Sequence, residues 1–321
     1  MTVVVASYQR RDPLLRLLGA LEEQWEAEPE LAADLDVVVV LDGSTDGSRE
    51  AVERRTWSVP VTVHWQANRG AATARNAGLA LAGEHLVWFL DDDLVPSDGL
   101  LARHRRGHGE ATPSVLVGPC RIPTDIDGPR PFLRWWEQFN EALDQTGRVE
   151  RFDQFTTANA SAPAAVFRGV GGFDETFAQY GLEDYELGYR LLRDGVEVRY
   201  DGDAVAWHPD IPPDGTLVRR QRSLGRNAAR MVALHPDVVD DLFPPGKVAP
   251  PRRFLRKLRL RRPASLLAVS HAAYALNRLA VTARRAELAR RSEWLARAAA
   301  HGAGVAEGDP SGRLLDRVLG R

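Results

Sequence analysis

The feature that most constrains this chain is an apolar run that ends in three consecutive acids. Residues 87–90 are all apolar, Asp91, Asp92 and Asp93 follow at once, and Pro96 comes soon after. Such a run is typical of a strand that is buried on both faces in a parallel sheet. The acids then lie where the strand ends, which is where open α/β sheets bind ligands. Because adjacent carboxylates repel one another, the pattern predicts either a Mg²⁺ or Mn²⁺ site or an acidic surface turn.

Strands and helices alternate along the N-terminal part of the chain. Apolar runs at residues 3–6, 36–41 and 61–65 predict three further strands. The helices predicted between them are residues 13–21, with Asp12 as N-cap, residues 49–55, and an alanine-rich segment after residue 70. This alternation predicts an α/β fold with a parallel sheet that is covered by helices on both faces.

Beyond Pro96 the alternation is less regular. The predicted elements are strands at 115–118, 196–200 and 204–207, helices at 131–143 and 182–194, and strand with loop at 156–167. After Pro213 the chain is rich in arginine and alanine and is predicted to be helical. We therefore expect one domain over residues 1–213 and a helical extension over residues 214–321.

Charge is unevenly distributed between these two regions. The net charge is −2, but residues 219–300 carry 19 basic and 5 acidic residues, and residues 301–321 carry three of each. Residues 1–218 therefore have a net charge of −16. The asymmetry is compatible with an anionic partner for the basic region or with packing of that region on the acidic body.

The sequence gives no indication of secretion or of a membrane span. Cys120 is the only cysteine, which excludes an internal disulfide and suits a reducing compartment. The most apolar late segment, residues 264–276, is too short and too polar to cross a bilayer. The first residues enter a strand directly and lack the pattern of a signal peptide. We expect a cytoplasmic protein.

Five short motifs occur in an order that is typical of one enzyme family. They are DGSTDGS at 42–48, NRG and ARN within 68–76, FLDDD at 89–93, GGFDE at 171–175 and ED at 183–184. Over residues 2 to about 208 this series resembles the family 2 glycosyltransferases, enzymes of the GT-A fold. The resemblance implies a Rossmann-like, mostly parallel sheet with a nucleotide-binding half over 1–96 and an acceptor half over 97–213. It also implies inverting transfer of a sugar from a nucleoside-diphosphate sugar, most commonly a UDP-sugar in this family.

For the donor nucleotide, the resemblance implies four contacts. Asp42 would accept a hydrogen bond from the base, with Ser7 and Tyr8 beside it, and Arg75 would face the nucleotide. The alternatives are an Asx turn for Asp42, a packing role for Tyr8 and an exposed helix charge for Arg75. A guanidinium in such a position can bind phosphate or neutralise the acids.

The same resemblance identifies the acidic triplet as an Asp-x-Asp metal motif that binds Mn²⁺ or Mg²⁺. Asp93 would bind the ion directly, and Asp91 and Asp92 would lie on the nucleotide side. His208 follows the last predicted strand of the body and would be a second metal ligand, although a lone histidine is also commonly structural. An ion at this place would neutralise the diphosphate as the sugar leaves.

The pair Glu183 and Asp184 opens a predicted helix. Acids at a helix N-terminus are favoured by the helix dipole, so capping alone would explain them. The resemblance implies instead that Asp184 is the general base and that Glu183 holds a sugar. An inverting transfer needs a carboxylate that removes the proton of the acceptor hydroxyl.

The acceptor side is less well defined. The resemblance places Gly171, Gly172, Asn159 and Trp135 there, although core packing is an alternative for the tryptophan. The acceptor itself is left open by the sequence: a carbohydrate, a lipid-linked sugar, a peptide or a small metabolite would each fit.

The basic segment 252–262 places Phe254, Leu255 and Leu258 at helical spacing among positive charges. Such a segment can lie on an anionic membrane, here the inner face, or pack on the catalytic body. The C-terminal helices are also compatible with a homo-oligomer. Nucleic-acid binding is disfavoured, because the body is acidic and no recognition motif occurs.

Two other functions are alternatives to sugar transfer. A phosphatase of the haloacid-dehalogenase type also uses an aspartate motif but needs a downstream lysine, and the only lysines are Lys247 and Lys257 in the basic tail. A non-catalytic sugar- or membrane-binding module would not require both the acidic triplet and the Glu183–Asp184 pair.

Overall fold

A computed structural model describes most of the chain. The described residues are 1–32, 34–108, 113–123, 130–210, 216–244, 250–258, 260, 262–283 and 285–319. The chain forms two compact units: Met1–Ala178 with Glu183–Ile211, and Gln179–Leu182 with Pro212–Arg321. The second unit therefore includes a four-residue segment from within the predicted body, immediately before Glu183.

The first unit is an α/β structure. Its elements in chain order are β1 (Thr2–Ser7), α1 (Arg11–Ala27), α2 (Pro29–Ala32), β2 (Asp36–Asp42), α3 (Ser48–Arg54), β3 (Val61–Gln66), α4 (Ala71–Leu81), β4 (Leu86–Leu90), β5 (Val95–Pro96), α5 (Leu100–Arg106), β6 (Ser114–Val117), β7 (Cys120–Arg121), α6 (Arg130–Thr146), a 3-10 turn (Phe152–Gln154), β8 (Asn159–Pro163), α7 (Ala164–Gly169), α8 (Glu183–Arg193), β9 (Glu197–Tyr200) and β10 (Ala206–Trp207).

Seven of these strands form one sheet, in the order β3-β2-β1-β4-β8-β6-β9. The strands β1 to β4 are parallel to one another, and β8 runs antiparallel to both of its neighbours, β4 and β6. A smaller sheet has the order β5-β10-β7. The mostly parallel α/β sheet is thus confirmed, and it crosses the predicted boundary between residues 96 and 97.

The apolar strands are buried on both faces, as their sequences predict. In β4 the neighbours Trp88 and Phe89 are both fully buried but belong to different hydrophobic clusters. Since successive side chains of a strand point to opposite faces, one cluster lies on each side of the sheet. Val3 and Val4 of β1 divide between the same two clusters.

Two local predictions are wrong. The first helix begins at Arg11, and its described cap residue provides no side-chain hydrogen bond, so Asp12 is not the N-cap. The backbone N–H of Arg11 instead donates to Asp46 Oδ2, at 2.9 Å, from the loop after β2. Residues 156–167 also contain a short helix, α7, because Pro163 ends β8 and the chain turns into the alanines that follow.

The second unit is helical. Its helices are α9 (Leu217–Leu234), a 3-10 turn (Pro236–Val238), α10 (Val239–Leu242), α11 (Pro250–Lys257), α12 (Pro263–Thr282), α13 (Ala286–Gly308) and α14 (Arg313–Leu319). Gly225 of α9 and Gly304 of α13 let these two helices pack closely, since a Cβ on either glycine would overlap the other helix's backbone. None of the described helices is long and apolar enough to cross a membrane.

The basic segment on α11 is divided between core and surface. Leu255 is fully buried in the core of the second unit, whereas Phe254 and Leu258 are 47% and 44% exposed. The described part of the segment 252–262 thus packs against the core through Leu255 and Leu260 and presents Phe254 and Leu258 to solvent.

Candidate active site

The acidic triplet lies at the carboxyl end of β4, as its position after the apolar run predicts. The backbone N–H of Asp91 donates to the carbonyl of Ala158, at 3.0 Å, which extends the pairing of β4 and β8 by one residue. The side chain of Asp91 is partly exposed, whereas Asp92 and Asp93 are buried. The three carboxylates therefore do not form an exposed surface turn.

Arg10 forms ion pairs with both buried acids. Its guanidinium forms an ion pair with Asp92 Oδ1, at 3.1 Å, and a second one with Asp93. Burial raises the pKa of Asp92 to about 7, against the attraction of Arg10 and a hydrogen bond with the hydroxyl of Ser7. Arg10 was not predicted from the sequence. Its position just after β1 becomes informative only once β1 and β4 are known to be neighbours in the sheet.

His208 lies beside Asp93. The imidazole Nε2 is 3.4 Å from Asp93 Oδ2, and Nδ1 is buried without a hydrogen-bond partner among the described residues. The backbone N–H of His208 donates to the carbonyl of Arg121, at 2.7 Å, which fixes the chain just beyond β10. The structure thus brings together the two predicted metal ligands, and each has a nitrogen or oxygen donor that suits a divalent ion.

These two side chains fit a metal that also binds a substrate. Within the described part of the chain no group of three or more candidate ligands converges on one point. Mg²⁺ is usually bound by one or two carboxylates together with water and substrate phosphates, so two protein ligands are sufficient. The Nδ1 of His208 is buried without a hydrogen-bond partner among the described residues, so the cluster retains unused donor capacity.

Arg75 joins the triplet to the second acidic motif. From α4, its Nη2 donates to Asp91 at 2.9 Å, and its Nη1 donates to Glu183 at 3.1 Å and lies 3.8 Å from Asp184. The side chain is 9% exposed, so the alternative of an exposed helix charge is wrong. Burial would lower the pKa of Arg75, but Asp184, Asp91 and Glu183 together raise it, so this residue stays charged.

Glu183 and Asp184 begin α8, and each accepts a hydrogen bond from another side chain: Glu183 from Arg75 and Asp184 from the hydroxyl of Thr157, which follows the 3-10 turn. Burial, together with the neighbouring Asp184, raises the pKa of Glu183 to about 7, and burial also raises the pKa of Asp184. Glu183 Oε2 is buried without a hydrogen-bond partner among the described residues, and contact of the pair with a substrate stays a prediction.

Asp42 has an organising role that the sequence analysis did not predict. At the end of β2 its carboxylate accepts hydrogen bonds from Gln66 Nε2 at 2.8 Å and from the backbone N–H groups of Arg69 and Gly70 at 2.9 and 2.8 Å. It therefore fixes the turn that leads into α4 and Arg75. A carboxylate has about four acceptor positions, so one remains for a ligand.

The other predicted nucleotide contacts, Ser7 and Tyr8, end β1. Ser7 is buried, whereas Tyr8 is 52% exposed and is free to stack on a planar group. The exposed ring makes a core-packing role for Tyr8 wrong. Contact with a base stays a prediction.

The acceptor-side residues separate into different environments. Gly171 and Gly172 have positive φ angles of 86° and 70° and form a turn that Asn76 holds by hydrogen bonds to both backbone groups of Phe173. The prediction that Asn159 lies on the acceptor side is wrong. Its side chain is fully buried in the core, so it cannot contact an acceptor.

The amide of Asn159 is engaged on both sides. Its Oδ1 faces Trp88 Nε1 at 3.0 Å and His104 Nε2 at 2.7 Å, and its Nδ2 donates to the carbonyl of Ala204 at 2.8 Å. Trp135, the last predicted residue of this group, belongs to α6, but its side chain lies outside the described residues.

The segment Gln179–Leu182 precedes Glu183 and is held within the second unit. Asn227 of α9 donates from Nδ2 to the carbonyl of Gly181 at 2.6 Å, with longer contacts to the carbonyls of Gln179 and Tyr180. Leu182 has a φ of 70°, a left-handed conformation that costs a leucine about 1 kcal/mol. The amide of Asn227 therefore fixes a strained turn that is covalently joined to the acidic pair.

The chain matches family models and proteins of known activity. A family model described as Glycosyl transferase family 2 matches residues 2–168, and one described as N-terminal domain of galactosyltransferase matches residues 137–204. A validoxylamine A glucosyltransferase of Streptomyces hygroscopicus subsp. limoneus is 33% identical over 270 residues, covering 76% of this chain and 58% of the relative. The chain thus spans about three fifths of the length of that relative.

Two solved structures share the fold. A mannosyltransferase from Pyrobaculum calidifontis, solved in complex with GDP-Man and Mn²⁺, gives a TM-score of 0.58 at 23% identity, covering 96% of this chain and 86% of that one. S. aureus TarS 1-349, solved in complex with UDP-GlcNAc, gives a TM-score of 0.51 at 14% identity, covering 95% of this chain and 90% of that one. At these identities the likeness shows the GT-A fold alone.

Proposed function

Since this chain belongs to glycosyl transferase family 2, we propose that it transfers a sugar, with inversion, from a nucleoside-diphosphate sugar to an acceptor hydroxyl. The observation that carries the proposal is the position of Arg75. It contacts Asp91 of the first motif and Glu183 of the second, two residues that are far apart in sequence. A metal-binding acid cluster and a candidate base thereby share one site at the carboxyl edge of the sheet, where α/β sheets bind ligands.

Asp93 and His208 would hold the divalent ion, Mn²⁺ or Mg²⁺. When bound there, the ion supplies positive charge that stabilises the diphosphate leaving group. Arg10 and Arg75 pair with acids of the same cluster, so part of its negative charge is already balanced before the ion and the diphosphate bind.

Asp184 would act as the general base. It accepts the proton of the acceptor hydroxyl while the acceptor oxygen forms a bond to the anomeric carbon and the bond from that carbon to the diphosphate breaks. The hydrogen bond from Thr157 orients the carboxylate, and a raised pKa makes it a better proton acceptor near neutral pH. Attack opposite the leaving diphosphate inverts the anomeric centre. Glu183, held by Arg75, would contact a sugar hydroxyl through its unpartnered oxygen.

On the donor side, Asp42 would accept a hydrogen bond from the base, next to Ser7, and Tyr8 would stack on it. UDP is our first choice of nucleotide, because it is the commonest in the family, and GDP is the second. For the acceptor we propose a small polyhydroxylated metabolite. The name of the 33%-identical relative, a validoxylamine A glucosyltransferase, supports this class.

A turnover assay tests the proposal. The protein is incubated with UDP-glucose, UDP-GlcNAc or GDP-mannose, Mn²⁺ and a panel of small polyols, and product is detected by mass spectrometry. We expect one donor to give product with the wild type and with Asp98→Asn, an exposed acid chosen as the matched control, and none with Asp93→Asn. Nucleotide binding without turnover on any acceptor would instead favour the alternative of a non-catalytic binding module.

Exposed side chains on α11 and at the residue after it support a peripheral contact with an anionic membrane. Phe254 and Leu258 project into solvent beside Arg256 and Lys257, which are also exposed. Exposed apolar side chains that lie next to basic side chains are typical of helices that bind in a membrane interface. Sedimentation with phosphatidylglycerol vesicles, but not with phosphatidylcholine vesicles, and its loss in Phe254→Ser would support the contact; equal sedimentation of the two proteins would exclude it.

A further inference from the structure

The helical unit contains a cavity that the proposed transfer does not use. Its volume is about 240 Å³, and residues of α9, α11 and α13 line it. The polar and aromatic part of the lining consists of Gln221, Arg252, Trp294, Arg297 and His301. All of these residues belong to the second unit, so the cavity is a feature of that unit alone.

Arg252 brings an uncompensated positive charge to this cavity. Among the described residues no carboxylate pairs with it, and burial lowers the pKa of its guanidinium. Arg297, on the same cavity, is by contrast paired with Glu293, with Nε 2.9 Å from Oε1. A desolvated and unpaired guanidinium is unfavourable unless an anion compensates it.

His301 provides a second unmet polar group. Its Nδ1 is buried and has no hydrogen-bond partner in the described part of the chain. Burial and the nearby charge of Arg252 lower the pKa of His301 to about 3, so the ring is neutral at physiological pH. A neutral imidazole can donate one hydrogen bond, and an anionic oxygen next to Arg252 is a suitable acceptor.

Trp294 offers an apolar surface beside these polar groups. Its side chain is 42% exposed, and the guanidinium of Arg290 lies over the ring, 5.2 Å from the centroid. The cavity therefore combines a positive, hydrogen-bonding part with a ring that a ligand can cover.

We propose that this cavity binds a phosphate group carried on a sugar or on a lipid, with Arg252 and His301 contacting the phosphate and Trp294 contacting the group that carries it. A guanidinium matches a phosphate through two parallel N–H donors. The site would be independent of the donor-nucleotide site, because none of its residues takes part in the proposed transfer.

Calorimetric titration of the full chain tests this proposal. The probes are inorganic phosphate, glucose 1-phosphate and short-chain phosphatidic acid, with glucose as the uncharged control. We expect Arg252→Gln to weaken phosphate binding by at least ~10-fold, since a charge-assisted hydrogen bond is lost. Arg278→Gln is the matched control, because Arg278 is an exposed arginine of the same unit that lies outside the cavity and the membrane-facing segment. Tighter binding of glucose 1-phosphate or of phosphatidic acid than of inorganic phosphate identifies the carrier.

Two further readouts keep the proposal falsifiable. Arg252→Gln should melt no lower than Arg278→Gln, because Arg252 has no ion pair to lose among the described residues. It should also leave UDP binding unchanged, which separates the cavity from the donor site. The proposal is overturned if wild type and Arg252→Gln bind phosphate equally, or if none of the three phosphates binds.

Discussion

Two partly or fully buried arginines, one in each unit, differ in what surrounds them. Arg75 contacts three carboxylates, those of Asp91, Glu183 and Asp184, whereas Arg252 faces none among the described residues. The first site has more acids than its arginines neutralise and therefore suits a cation and a metal-bound diphosphate. The second has an excess positive charge and therefore suits an anion. Burial of an arginine therefore indicates which kind of ligand a site binds only when the charges around the arginine are also considered.

The largest expected effect comes from the proposed base. Asp184→Asn should lower kcat by ~10²–10⁴-fold, since an amide cannot accept the acceptor's proton. Nucleotide binding, measured by the melting-temperature shift with UDP and Mn²⁺, should be unchanged. Asp98→Asn should keep full activity. Normal turnover by Asp184→Asn would show that the base lies elsewhere.

Removal of each arginine tests the comparison itself. Arg75→Gln should lower the free energy of unfolding by ~3–5 kcal/mol, because it leaves buried carboxylates without a counter-charge. Arg252→Gln should cost nothing measurable. Denaturant unfolding of both variants at pH 8 checks this. Equal losses would mean that Arg252 has a compensating partner, and the comparison would fail.

The pH dependence of the free energy of unfolding tests whether Glu183, on the acidic site, is protonated in the folded protein. The pKa of Glu183 is raised to about 7, so the stability that its protonated form provides is complete below about 4.5 and is lost as pH rises through about 7. Glu183→Gln does not titrate. The unfolding free energy of the variant relative to the wild type should therefore rise by on the order of 2 kcal/mol between pH 5 and pH 8. A difference independent of pH would mean that Glu183 is ionised throughout.

The smallest effect concerns the segment that the helical unit holds. Asn227→Ala removes the amide that binds the carbonyls of residues 179–181, so we expect kcat to fall ~3- to 10-fold through misplacement of Asp184, at unchanged nucleotide binding. Asn277→Ala is the control, because Asn277 makes a similar amide-to-carbonyl bond to Ala289 within the same unit. Equal kcat values for the two variants would remove the positioning role.

Much of the sheet could be predicted from the sequence, because β1, β2 and β4 are uninterrupted apolar runs. The antiparallel β8 was harder to predict. Its residues, NASAP, are small or polar and have weak strand propensity, so pairing with β4 and β6 decides their conformation.

The part of the site that could be predicted is the acidic triplet, because its place at the end of a strand follows from the residues directly before it. Arg10 and Thr157 could not be predicted, because their roles arise from strand neighbours in the sheet and from contacts between distant segments. Asn159 was wrongly interpreted for the same reason. A polar side chain near an active site can form its hydrogen bonds within the core instead, as Asn159 does with Trp88 and His104.

We propose that one site binds a metal together with a nucleotide and also contains the acidic pair Glu183 and Asp184. The most direct test of this proposal is electron paramagnetic resonance of Mn²⁺ titrated into the protein with saturating UDP or GDP. We predict one nucleotide-dependent Mn²⁺ per chain in the wild type and in Asp98→Asn, and none in Asp93→Asn. Equal Mn²⁺ binding by the wild type and Asp93→Asn, or no binding with either nucleotide, would contradict the account.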